Sequence, residues 1–176
     1  MDLTEKTIET REIFSGRIIK VRVDTVSLPD GQQSTREVVE HAGAVAVVAL
    51  DNDHNIIMVR QYRKPVEMVL MEIPAGTMEK DEDPLLCAQR ELREETGFSA
   101  DHWERILSYY STPGFTDEYL HIYLATGLTG GEIDLDQDEF VETVPIPLKE
   151  AWRMILAGEI EDGKSIIGIQ YAIIIS

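Results

Sequence analysis

A single cysteine in 176 residues leaves no partner for an intrachain disulfide. The chain must therefore rely on burial and hydrogen bonding, as proteins of a reducing compartment do. Long apolar runs are missing as well. GAVAVVAL and the tail YAIIIS are strand- or core-sized, far short of the ~20 residues that span a bilayer as a helix. The opening stretch MDLTEKTIETREIF is charged throughout and is not the apolar core of a signal peptide. These absences set the expectation of a cytoplasmic protein with no membrane partner. Positive charge is scarce, with 16 Lys and Arg against 33 Asp and Glu and a net charge of -17. That balance argues against nucleic acid or an anionic membrane as partner. The four histidines show no metal-ligand spacing, and His41 and His121 read as packing or surface positions. Repeats and low-complexity segments are absent.

What the chain does have is an ordinary globular composition, 43% hydrophobic and 28% charged, at a length that suits one domain with a small appendage. The first forty residues alternate as strands do, with Ile19, Val21 and Val23 on one face and Lys20, Arg22 and Asp24 on the other. Leu28-Pro29-Asp30-Gly31 signals a turn, and REVVEH, Arg36 to His41, reads as the returning strand. Residues 1–42 thus form a thin antiparallel sheet, and 43–176 a larger domain. In that domain GAVAVVAL suits a buried strand, NIIMVRQYR a second and Leu70 to Ile73 a short third. Arg105 to Tyr110, Glu118 to Ala125 and Phe140 to Ile146 read as further strands, and GLTGGEIDLDQDE as a Gly-rich acidic loop. Lys149 to Ala157 and Asp162 to Tyr171 read as helices. Interleaved strands and helices predict a layered α/β/α sandwich around a mixed sheet.

One helix has both ends marked. Asp83 can cap it, Pro84 suits its first position and Gly97 the left-handed residue beyond its end, giving about 84–96. Leu85, Ala88 and Leu92 form its packed side. Glu91, Glu94 and Glu95 crowd a flank, where like charges three or four apart destabilise by roughly 0.2–0.5 kcal/mol per pair. The flank is either a solvated face, with Arg90 and Glu94 as an i,i+4 pair, or a site for hard divalent cations. Mg²⁺ takes oxygen ligands and bridges carboxylates to substrate phosphates, and it would give an acidic protein the positive charge that an anionic substrate needs.

The surrounding residues decide between these. GTMEKDEDPLLCAQRELREETGF, residues 76–98, places Gly76, Glu82, Arg90, Glu91, Leu92, Glu94, Glu95, Gly97 and Phe98 in the pattern Gly, five residues, Glu, seven residues, Arg-Glu-hydrophobe-any-Glu-Glu-any-Gly-hydrophobe. This resembles the Nudix box. Upstream, Met71-Glu72-Ile73-Pro74-Ala75-Gly76 is similar to the E-I-P-A-G lead-in of the ADP-ribose pyrophosphatase subfamily. Downstream, STPGFTDE puts Pro113 sixteen residues after Gly97, a spacing that marks the same subfamily.

The resemblance implies Mg²⁺- or Mn²⁺-dependent hydrolysis of ADP-ribose to AMP and ribose 5-phosphate, with two or three ions per site. It makes Glu91 and Glu95 the central metal ligands, with Glu94 assisting and the Ala75 carbonyl facing a metal past a tight turn at Gly76. Arg90 would hold the carboxylates, and Glu82 would tie the loop to the helix or reach a metal through water. Relatives carry an acidic pair where this chain reads Asp136-Gln137-Asp138-Glu139. A neutral amide cannot accept a proton, so the base falls to Glu139, with Asp136 and Asp138 as alternatives. Arg60 and Arg63 would meet substrate phosphates, Pro113 and Gly114 would shape the loop beside the terminal ribose, and Glu72 would accept from adenine or hold a neighbouring arginine. Cys87, inside the helix, is no nucleophile. The thin N-terminal sheet would be exchanged between subunits of a homodimer. Rival readings are hydrolysis of another nucleoside diphosphate sugar such as GDP-mannose, and a non-catalytic ADP-ribose sensor.

Overall fold

The computed structural model describes residues 2–135 and 140–175, so Asp136, Gln137, Asp138 and Glu139 lie outside the described residues. The chain divides into two compact units, Met1–Gly43 with Tyr109–Leu120, and Ala44–Ser108 with His121–Ser176.

The first unit carries an antiparallel three-stranded sheet in chain order: β1 (Lys6–Ser15), β2 (Ile19–Ser27) and β3 (Gln33–His41). β2 and β3 turn at Leu28–Gly31, where the Gly31 N–H donates to Leu28 at 2.9 Å and Gly31 adopts a φ of 86° that suits glycine. Every residue of β1 is exposed. The polar face of β2 differs from the sequence expectation, since Asp24 is buried. Thr10 donates to it at 2.8 Å and Arg22 pairs with it at 3.3 Å, which meets the cost of burying a charge. Residues 109–120 join this unit through a bond from the Val39 N–H to the Phe115 carbonyl, and Asp117 accepts the His41 N–H, both at 2.8 Å.

The second unit holds a seven-stranded sheet. Its main path runs β10 (Val141–Pro147), β5 (Asn55–Arg63), β4 (Ala44–Leu50), β9 (Tyr119–Gly130) and β8 (Phe98–Tyr110). β6 (Met68–Glu72) pairs with β5, and β7 (Ala75–Thr77) pairs with β4. Successive residues of β4 point to opposite faces, and those from Val45 to Leu50 are all buried, so both faces must be covered. Val45, Val47 and Ala49 pack with Cys87, Ala88 and Leu92 of α1 (Pro84–Thr96). Val48, on the other face, meets α3 (Gly163–Ile175), which packs beside α2 (Leu148–Ala157). The result is the α/β/α layering that the interleaved pattern predicts. Among the described residues no helix is long and apolar enough to cross a membrane.

The contact between α3 and β4 is close. A Cβ on Gly168 would lie 2.7 Å from Val48 Cγ2 and 3.1 Å from Ile73 Cδ1. Overpacking costs about 1–3 kcal/mol, while alanine in place of glycine gains ~1 kcal/mol of helix propensity. Val48 is β-branched and stiff, so the clash prevails. Gly168→Ala is expected to lose about 1 kcal/mol in a urea melt; an unchanged midpoint would mean that α3 shifts freely.

Several boundaries differ from the sequence reading. β9 continues through Gly127, whose φ of 70° bends the strand beside Asp101 without ending it. The Gly-rich stretch is therefore partly sheet. β8 starts at Phe98, directly after α1, and Ser99 reaches the Thr129 carbonyl of β9 at 3.4 Å. α3 extends four residues past Tyr171 to Ile175. β7 has no signal of its own, being only Ala-Gly-Thr.

Candidate active site

α1 begins and ends as its sequence requires. Asp83 accepts from the Leu85 and Leu86 N–H groups, Pro84 follows it, and Gly97 takes a φ of 73° with its N–H on the Arg93 carbonyl. Fixing both ends fixes which way the glutamates face. β7 brings the residues before the helix into register with the central strand, Ala46 opposite Ala75 and Val45 opposite Gly76.

Glu95 is 4% exposed and accepts the Ala75 N–H at 3.0 Å. Thr143 of β10 donates to its backbone carbonyl at 3.2 Å, tying the end of α1 to the sheet. Glu91 lies against Gly76: a Cβ on that glycine would sit 2.0 Å from the Glu91 carboxyl carbon. Gly76 has no left-handed backbone and belongs to an extended strand. The tight turn expected there is thus replaced by a close approach that only glycine permits.

The crowding of like charge is relieved by one guanidinium. Arg90 donates to Glu91 at 2.7 Å, to Glu94 at 2.9 Å and to both oxygens of Glu82 at 3.1 Å. Glu82 also accepts the Glu79 N–H at 2.8 Å, closing the loop before the helix. Its bonds from Arg90 hold the Glu82 carboxyl down at about 2, and the same contacts push Arg90 upward. Burial raises the Cys87 thiol well above its ordinary range, so no thiolate forms there.

A second charged group meets the loop from α3. Arg63 donates to both oxygens of Glu72, at 2.8 and 2.9 Å, and Lys164 pairs with the same carboxylate. Glu72 is 1% exposed. Burial alone would raise its carboxyl, and Arg63 and Lys164 outweigh that and leave it below the ordinary value. The neighbouring Ser165 accepts the Ile73 N–H at 2.8 Å and donates to Asp162 at 2.5 Å, and Lys164 reaches Asp162 at 3.1 Å. Sequence reasoning missed Asp162, Lys164 and Ser165. They carry no motif and lie about ninety residues from the strand they hold.

Arg60 pairs with Glu142 at 2.8 Å in an open cleft of about 480 Å³ that Tyr62, Val69 and Phe140 also line. Pro113 and Gly114 are exposed in the first unit. Glu139 lies outside the described residues. His121 bonds Ser108 at 2.8 Å, and the His41 ring accepts the Gly43 N–H at 3.0 Å.

Among the described residues no group of three or more His, Cys, Asp or Glu side chains is arranged to hold a metal ion by itself. The side chains that meet the Ala75–Gly76 strand from α1 nevertheless offer oxygen, the carboxylates of Glu91 and Glu95. Gly76 keeps the space that a Cβ would fill. This set fits a hard divalent cation, with Glu94 one turn of helix away on Arg90.

Two family models divide the chain between them. Residues 40–167 match the NUDIX domain, and residues 5–39 match the nucleoside diphosphate sugar hydrolase N-terminal domain. A methanol dehydrogenase activator of Bacillus methanolicus is 51% identical over 95% of this chain and 91% of its own length. An ADP-ribose pyrophosphatase of Bacillus subtilis is 47% identical over 96% of this chain and 92% of its own. A crystal structure of an ADP compounds hydrolase, 19% identical, shares the fold at a TM-score of 0.85 over 98% of this chain and 94% of that one. With its box intact, Glu91, Glu94 and Glu95 grouped on one helix and a family model spanning most of its length, the chain belongs to the Nudix hydrolase family.

Proposed function

We propose that this protein hydrolyses the pyrophosphate of ADP-ribose, giving AMP and ribose 5-phosphate, with Mg²⁺ or Mn²⁺ as cofactor. The observation that carries this reading is the seat of Glu91 on Gly76 beside the buried Glu95. It is supported by 47% identity to a protein named ADP-ribose pyrophosphatase. Glu91 and Glu95 are the main ligands, with Glu94 and the Ala75 carbonyl completing a site for two or three ions. Bound there, the metal offsets phosphate charge and acidifies water.

The chain's own residues supply the rest. Arg90 and Glu82 keep the helix flank and its loop in place, and Gly97 ends the helix. Arg63 and Arg60 attract the phosphates with planar forks, Pro113 and Gly114 flank the terminal ribose, and Glu72 orients Arg63. Water oxygen bonds to one phosphorus, the bond from that phosphorus to the bridging oxygen breaks, and the bridging oxygen leaves with the other phosphate. Glu139 takes the proton of the attacking water.

The test is a panel of ADP-ribose, GDP-mannose, ADP-glucose, NADH and a dinucleoside polyphosphate with Mg²⁺, products identified by mass. Preference for ADP-ribose with AMP and ribose 5-phosphate as products is the expected result. Preference for another member overturns the substrate, and tight binding without turnover makes the protein a sensor.

The protein is also read as a cytoplasmic homodimer. β1 is exposed along its whole length and presents Ile8, Ile13 and Phe14 to solvent, and such an edge calls for a covering surface. A monomer on sizing at micromolar concentration would overturn this.

A further inference from the structure

Glu72 is almost wholly buried, yet it faces two cations, Arg63 from β5 and Lys164 from the first turn of α3. One cation would neutralise it. Arg63 uses Nε and Nη2 on the carboxylate, and its side chain remains 40% exposed. Lys164 is 13% exposed. Its second partner, Asp162, lies at the start of α3 and accepts the Ser165 N–H at 3.0 Å. There the helix dipole, roughly half a positive charge, already offsets a carboxylate. Most of the Lys164 charge is therefore directed at Glu72.

We propose that Lys164 is a positioning residue for the reaction, neutralising Glu72 so that the Arg63 charge, aimed by the same carboxylate, is available to a substrate phosphate. The proposal rests on the reading of Arg63 as a phosphate contact. In a chain without Lys164, Glu72 would cancel the charge of Arg63 and hold its guanidinium more tightly. The buried carboxylate would be left unpaired whenever Arg63 turned to the substrate, a penalty characteristic of truncated buried pairs.

The experiment compares Lys164→Met, Lys164→Arg, Lys164→Met with Glu72→Gln, and Arg63→Met. It measures kcat and KM for ADP-ribose, and also ADP-ribose affinity by calorimetry in EDTA. Lys164→Met is expected to raise KM about 30-fold with kcat changed by less than about threefold, a loss of binding and not of chemistry. Lys164→Arg keeps the charge and stays near wild type. Adding Glu72→Gln to Lys164→Met brings KM back to within about fivefold of wild type, because the unneutralised charge is gone and the amide oxygen introduced by Glu72→Gln still accepts from Arg63. A packing role for Lys164 would not be relieved by altering Glu72.

An unchanged KM in Lys164→Met overturns the proposal, and so does a double variant no better than the single one. Arg63→Met separates the two layers. If it raises KM while Lys164→Met does not, only the role of Lys164 fails. If it leaves KM unchanged, the phosphate contact of Arg63 fails, and the proposal with it.

Discussion

Glu95→Gln lowers kcat about a thousandfold, ~4 kcal/mol of barrier at ~1.4 kcal/mol per tenfold, while the protein stays folded. The substitution keeps the shape of the side chain, and the amide oxygen can still accept the Ala75 N–H that Glu95 now holds at 3.0 Å. What it removes is the charge, at a position 4% exposed where no nearby solvent can substitute for it. A hard cation binds a neutral amide far less well than a carboxylate. The loss should therefore appear in Mg²⁺ response as well as in rate. Wild-type protein gains melting temperature on adding Mg²⁺, since a ligand that binds only the folded state stabilises it. Glu91→Gln combined with Glu95→Gln removes that gain. If the double variant responds to Mg²⁺ as wild type does, the metal site lies elsewhere in the chain.

Gly76→Ala should cost about a hundredfold in kcat, the usual penalty for misplacing a group by an ångström, with little change in stability. The added methyl would stand 2.0 Å from the Glu91 carboxyl carbon. The colliding atoms are the tip of a flexible side chain, so the collision is relieved by moving the carboxylate and not the backbone. Gly76 is extended and opposite Val45 in β7, a conformation that alanine adopts freely. Stability and activity therefore separate at this position. Heat denaturation near the wild-type temperature with activity lost is the expected pair of results. Retained activity would show that the Glu91 position does not matter to the chemistry.

Parts of this site were legible in the sequence because they rest on local rules. The ends of α1 follow from Asp83, Pro84 and Gly97, each acting within a few residues of its own position. The buried side of that helix follows from its period, and the burial of β4 on both faces follows from its unbroken run of apolar residues. Other parts depend on contacts between distant segments. Arg90 was legible as the i,i+4 partner of Glu94, but its bonds to both oxygens of Glu82 depend on how the preceding loop folds back. Lys164 and Ser165 reach Glu72 and Ile73 only once α3 covers the face of β4 opposite α1. Gly127 misled in the other direction: a residue that signals a loop serves here as a bend within a strand. Asp24 likewise becomes a buried carboxylate only because Thr10 comes to it from the neighbouring strand.

β7 is three residues long, but its pairing with β4 has a kinetic consequence. Backbone amides exchange with solvent either when a segment frays or when the whole domain opens. Pro74 accepts the Val47 N–H at 2.8 Å, and Ala75 and Gly76 lie opposite Ala46 and Val45, two of the fully buried core residues. The Ala75 amide itself is held by Glu95. The strand on which Glu91 and Glu95 are seated therefore cannot fray without breaking into the central strand. Its amides should exchange no faster than those of β4, and the geometry around Glu91 and Glu95 lasts as long as the folded molecule does.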